Sequence, residues 1–154
     1  MSETFFKEKS PQELLEEVRN LDTGSKGAHS QIYYMRTHNL DENSKVKLEI
    51  ACKFPNEYRG FEILDAILEE VEDVDLMRRL FNANKEEYGY FIAVSVKDEK
   101  FIEELYYSKV EDLPLAVADN ESTNIDFLRK IISETDDEKV RETAMQTLKR
   151  ISLT

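Results

Sequence analysis

The chain has 154 residues, enough for one domain with a sizeable core and too few for two of ordinary size. Its 33 Asp plus Glu against 21 Lys plus Arg leave a formal charge of -12, which argues against unaided binding to a nucleic-acid backbone or an anionic membrane and favours neutral or basic partners. With 40% hydrophobic residues, 7 Tyr, 8 Phe and only 3 Pro and 4 Gly, the composition is that of a folding chain with a heavily charged surface rather than a disordered one.

Cys52 is the only cysteine, which excludes an intrachain disulfide framework and a thiolate-only zinc or iron-sulfur site. A reducing compartment is the expected home. The first residues carry only Phe5-Phe6 before charges resume, so a signal-peptide core is lacking, and no apolar run approaches membrane-spanning length. A soluble, cytoplasmic protein is expected.

In chain order, the clearest helix start is Ser10-Pro11-Gln12-Glu13, a serine N-cap with proline at the first helical position and glutamate three residues after the cap. The helix runs on through Leu14, Leu15, Val18 and Leu21. Asp22 to His29, with two glycines among small polar residues, reads as a flexible loop and internal hinge. Gln31 to His38 reads as a second helix, strand being the alternative, before a turn at Asn39 to Asn43. Residues 1–40 are thus expected to form an N-terminal helical cap on a single domain spanning 1–154.

From residue 41 onward the sequence repeats. Leu76-Met-Arg-Arg-Leu80, Phe101-Ile-Glu-Glu-Leu105 and Phe127-Leu-Arg-Lys-Ile131 share one apolar-apolar-charged-charged-apolar pattern, their starts 25 and 26 residues apart and each after an acidic turn. A poorer copy, Phe61 to Ile67, breaks the spacing. Each unit adds a second apolar segment centred on alanine, around Ala51, Ala93, Ala116 and Ala144, where a small side chain lets neighbouring helices approach closely. The last of these places Val140, Ala144, Leu148 and Ile151 on one face, with Thr135-Asp-Asp-Glu138 as an expected capping box. Two short helices per unit describe an all-α fold, a short α-solenoid whose units bury their apolar faces only by stacking. Tyr88 to Val96 is rich in β-branched and aromatic residues, and as a strand it would make the fold α+β. The register of Ala93 with Ala116 and Ala144 ranks helix above strand.

The stretch from Leu115 to Ala144 resembles the HEAT-like and leucine-rich-repeat-variant repeats, whose recurring theme is LAxNxxTxxxxLxxLxxDxxxxVRxxxA. The resemblance is good over about thirty residues, moderate back to Val74 and faint from residue 41. It implies a curved scaffold that binds another protein. Some variant-repeat proteins carry a cysteine-rich cluster-binding segment, which Cys52 alone does not supply.

No residue pattern names a reaction, and no cofactor or metal is expected. The acidic run Glu69-Glu70-Val71-Glu72-Asp73-Val74-Asp75 lacks the glycine and terminal glutamate of an EF-hand loop, so it reads as a helix end followed by the cap of the next helix. His29 and His38 are nine residues apart, off the i, i+4 spacing of a helical metal pair, and the scattered glycines form no phosphate loop. No Gly-x-Ser-x-Gly nucleophile turn occurs. Tyrosines favour protein interfaces, which makes Tyr88, Tyr90, Tyr106 and Tyr107 candidate contact residues together with Glu69, Glu70, Glu72 and Asp73.

Residues 41–80 and 81–120 each carry a net charge of about -5 and the flanks about -1 apiece. The expected function is a non-enzymatic interaction module that offers an acidic helical surface to a basic protein. The alternative is an inhibitor or immunity-type protein that blocks a nuclease or mimics nucleic-acid phosphate. A homodimer through the apolar end of the C-terminal helix is a further expectation.

Overall fold

The computed structural model describes residues 9–153, and among these every regular element is a helix. In chain order they are α1 (Pro11–Asn20), α2 (Lys26–Thr37), α3 (Ser44–Lys53), a 3-10 turn (Gly60–Ile63), α4 (Leu64–Glu69), α5 (Val74–Ala83), α6 (Lys85–Ser95), α7 (Glu99–Tyr106), α8 (Leu113–Asp119), α9 (Ile125–Glu134) and α10 (Glu138–Ser152). The fold is all-α, and residues 88–95 lie within α6 rather than in a strand. Propensity loses there because Asn84 caps the helix at the amide of Glu87 and the 3.6-residue period buries Tyr88, Ile92 and Ala93.

The repeated pattern has one structural meaning in α5, α7 and α9. Its three apolar positions are buried each time: Leu76, Met77 and Leu80; Phe101, Ile102 and Leu105; Phe127, Leu128 and Ile131. Three residues before each copy stands the N-cap. Asp73 accepts from the amide of Leu76, Asp98 from Phe101 and Asn124 from Asp126, each cap contributing about 1 kcal/mol. The acidic turns are therefore largely capping chemistry. The poorer copy departs in structure too, since Ile63, Ala66 and Ile67 are buried while Phe61 is 69% exposed.

Ala51, Ala93, Ala116 and Ala144 are wholly buried, and their helices pack closely: α6 on α8, α8 on α10, and α3 on both α4 and α5. In addition, α5 packs on α6, α7 on α8 and α9 on α10, while α1 packs on α3. Polar side chains join helices that are distant in sequence. Buried Asn120 donates to the carbonyls of Ala93 and Val96 at 2.9 and 2.8 Å, and Asn84 donates to Pro55 at 3.0 Å. Asn120 thereby satisfies backbone acceptors at the end of α6 that would otherwise be buried and unpaired, while Asn84 shares the Pro55 carbonyl with the Tyr88 hydroxyl.

Three local expectations need correction. The loop expected over 22–29 is shorter, because Asp22 accepts from the amide of Gly24 and α2 begins at Lys26, with Ala28 buried under it. Residues 26–29, Gly27 included, are therefore helical rather than hinge. At the start of α10 the cap is Asp137, which accepts from Lys139 and Val140, whereas Thr135 ends α9 and accepts from Asp137. Glu138 pairs instead with Arg141 at 2.7 Å. Leu21 lies just past α1 as its C-cap. The Ser10–Glu13 capping box and the helix over 31–37 form as expected.

Candidate functional site

The eight residues singled out for partner contact fall into three places. Tyr88 is withdrawn from the surface: it is wholly buried, and its hydroxyl donates to the carbonyls of Pro55 and Tyr58 at 3.0 Å each. Correspondingly, burial pushes its phenol up to about 12. A tyrosine inside a helical repeat could be read from sequence, but not which face it takes, because both Tyr88 and Tyr90 lie on α6. Tyr90 takes the outer one, 40% exposed, with its ring edge-on to Phe91.

Tyr106 and Tyr107 end α7 and its C-cap. Their directions diverge as adjacent helical residues must: Tyr106 is half-buried against Phe127, and Tyr107 stands 52% exposed. The Tyr107 ring is nevertheless fixed, edge-on to Tyr106 at 5.0 Å and to Phe127 at 6.1 Å, with the Lys130 ammonium 6.0 Å from its centroid. Glu103 and Glu111 are exposed on the same stretch, while Glu104 is tied down by bidentate bonds from Arg78.

The acidic residues gather at the junction of α4 and α5. Glu69 and Glu72 are exposed, and Glu69 accepts from the Ser44 hydroxyl at the start of α3. Asp73 is occupied as the α5 cap. Among the described residues no group of His, Cys, Asp and Glu converges to hold a metal ion, and no helix is long and apolar enough to cross a membrane.

Sequence reading missed a groove between α1, α3 and α5 of about 690 Å3. Its floor is Glu49, 3% exposed, which accepts from both Nη atoms of Arg79 at 2.9 and 2.7 Å. These bonds hold the Glu49 carboxyl below its ordinary range against the opposing push of burial, with Arg19 and Lys53 adding to the depression. Lys53 donates to the carbonyls of Arg19 and Leu21, closing the end of α1. Beside them, burial pushes the Cys52 thiol up to about 12, which makes it a poor nucleophile.

A second polar cluster locks α2 to the segment after α3. Arg36 donates to the Glu57 carbonyl at 2.7 Å and to Glu62 at 3.0 Å, and lies 4.4 Å over the Tyr58 ring. Tyr58 in turn donates to Asp41 at 2.7 Å. Arg36 and Tyr58 are both engaged, so these two side chains act as scaffolding.

Comparison of the chain with protein-family models, curated proteins and solved structures finds no match.

Proposed function

We propose that this chain is a non-enzymatic protein-binding scaffold, built of stacked HEAT-like helix pairs, that receives a basic partner on the face where Tyr107 emerges from α7. The observation that carries the reading is Tyr107 itself: an exposed aromatic ring, held at a fixed angle by Tyr106 and Phe127, one helical turn from the exposed Glu103. A rigid aromatic costs little entropy on binding, and the net negative charge of the middle units steers a cationic partner. Tyr90 and the acids at Glu69, Glu70 and Glu72 extend the acidic aromatic character over the middle units. The succession of α6, α8 and α10 packing supports the stacked reading.

The test is affinity capture of the tagged chain from lysate at low and at high salt, beside Tyr107→Ala and Glu103→Lys. A basic protein retained at low salt, released at high salt and lost from both variants is expected. Capture that is indifferent to salt and to both substitutions overturns the reading, as does the absence of any partner.

A further inference from the structure

We propose that the groove between α1, α3 and α5 binds a phosphate dianion, free or as a monoester, held chiefly by Arg19, Lys45 and Lys53. The groove collects four cations, these three and Arg79, against the carboxylates of Glu49, Asp73 and Asp75, so it carries about +1 in a chain of -12. Two of those carboxylates are already committed. Glu49 is bound by Arg79, and Asp73 accepts from the Leu76 amide at 3.1 Å.

The cations are less committed. Arg19 reaches Glu49 at 3.7 Å through Nε, too far for a hydrogen bond, and its side chain is 51% exposed. Lys45 is exposed and makes no ion pair among the described residues. Lys53 donates to two neutral carbonyls, which leaves its charge uncompensated by a carboxylate at hydrogen-bond distance. Only Leu15 and Leu76 line the groove with apolar surface, and both are buried, so an apolar ligand finds little to cover. A compact, multiply charged oxyanion with several acceptor atoms matches the donors on offer. The chain's distant acids do not cancel this attraction, because at physiological ionic strength charges beyond about 8 Å are largely screened.

The test is calorimetric titration of the full chain, at physiological ionic strength and about pH 7.5 where phosphate is mostly dianionic, with inorganic phosphate, then phenyl phosphate, then acetate. Saturable one-to-one binding of phosphate is expected, weakened about tenfold in Arg19→Gln and again in Lys45→Gln, and retained in Lys45→Arg. Phosphate alone binding identifies the free ion, and phenyl phosphate binding as well identifies a monoester. No saturation by about 10 mM of either, acetate binding as tightly as phosphate, or affinity unchanged in both Gln variants overturns the proposal. Both Gln substitutions are at exposed side chains outside the Glu49–Arg79 pair, so circular dichroism is expected to show an unchanged helical fold.

Discussion

Replacing Arg79 with methionine should destabilise the chain far more at neutral pH than in acid. Arg79 keeps an apolar stem in methionine but loses the fork that donates to both oxygens of Glu49. The carboxylate, 3% exposed, is then left in the interior without its bidentate partner. Breaking a fully buried pair costs about 3–5 kcal/mol. Here the Arg79 side chain is 50% exposed, and Arg19 and Lys53 remain near Glu49, which discounts the loss to about 2–3 kcal/mol. The sign with pH follows from the depressed Glu49 carboxyl. Its contribution is present above the ordinary glutamate value of about 4.3 and is lost as pH falls through the lower folded value. In the variant the depression is gone, burial pushes the carboxyl upward, and protonation relieves the unpaired charge. Urea unfolding of both proteins should therefore show the gap at about pH 7 narrowing by at least half at about pH 3.5. A gap below about 0.5 kcal/mol at neutral pH, or one that does not change with pH, would refute the reasoning.

Two structural predictions accompany it. Asn120→Ala removes the donors to Ala93 and Val96 and the acceptor for the Ser122 amide; at about 1 kcal/mol per bond, with two buried carbonyls left bare, a loss of about 2–4 kcal/mol is expected by denaturant unfolding. A change within about 0.5 kcal/mol would mean that Asn120 does not tie α8 to α6. Gly60→Ala would place a Cβ 2.3 Å from the Phe91 ring and 2.5 Å from the Glu87 carbonyl oxygen, so α6 must shift; a cost of about 1–3 kcal/mol is expected, and an unaltered melting temperature would show that the contact yields freely.

The helices were legible because their signals are local. A cap three residues before an apolar pair, and a third apolar residue a turn later, recurs at Asp73, Asp98 and Asn124, and each time short-range chemistry alone decides the outcome. The limits of the α2 loop and the start of α10 were misplaced by a few residues for the same reason: several Ser, Thr and Asp side chains compete to cap the same amides, and Ala28 burial and the Asp137 geometry decide between them only in three dimensions. Facing was less legible, as Tyr88 shows. It sits two residues from Tyr90 with the same propensity, yet one ring closes the core while the other meets water, a choice made by the backbone carbonyls of Pro55 and Tyr58.

The groove illustrates the harder case. Arg19, Lys45, Lys53 and Arg79 are spread over sixty positions, and in each local window every one of them reads as an ordinary solvated charge. Net charge also misled, since a total of -12 conceals a place where cations outnumber acids. What gathers them is the packing of α3 against both α1 and α5, and that packing depends on apolar residues elsewhere on the same helices, Val46 and Ile50 on α3 and Met77 and Leu80 on α5, all buried. The core thus fixes the charge constellation without containing it. Its only trace in the sequence is Glu49, an acid between the apolar Leu48 and Ile50: a carboxylate in that position must either stay charged with a partner or lose its proton-free form, and the partner it takes is the arginine that completes the groove.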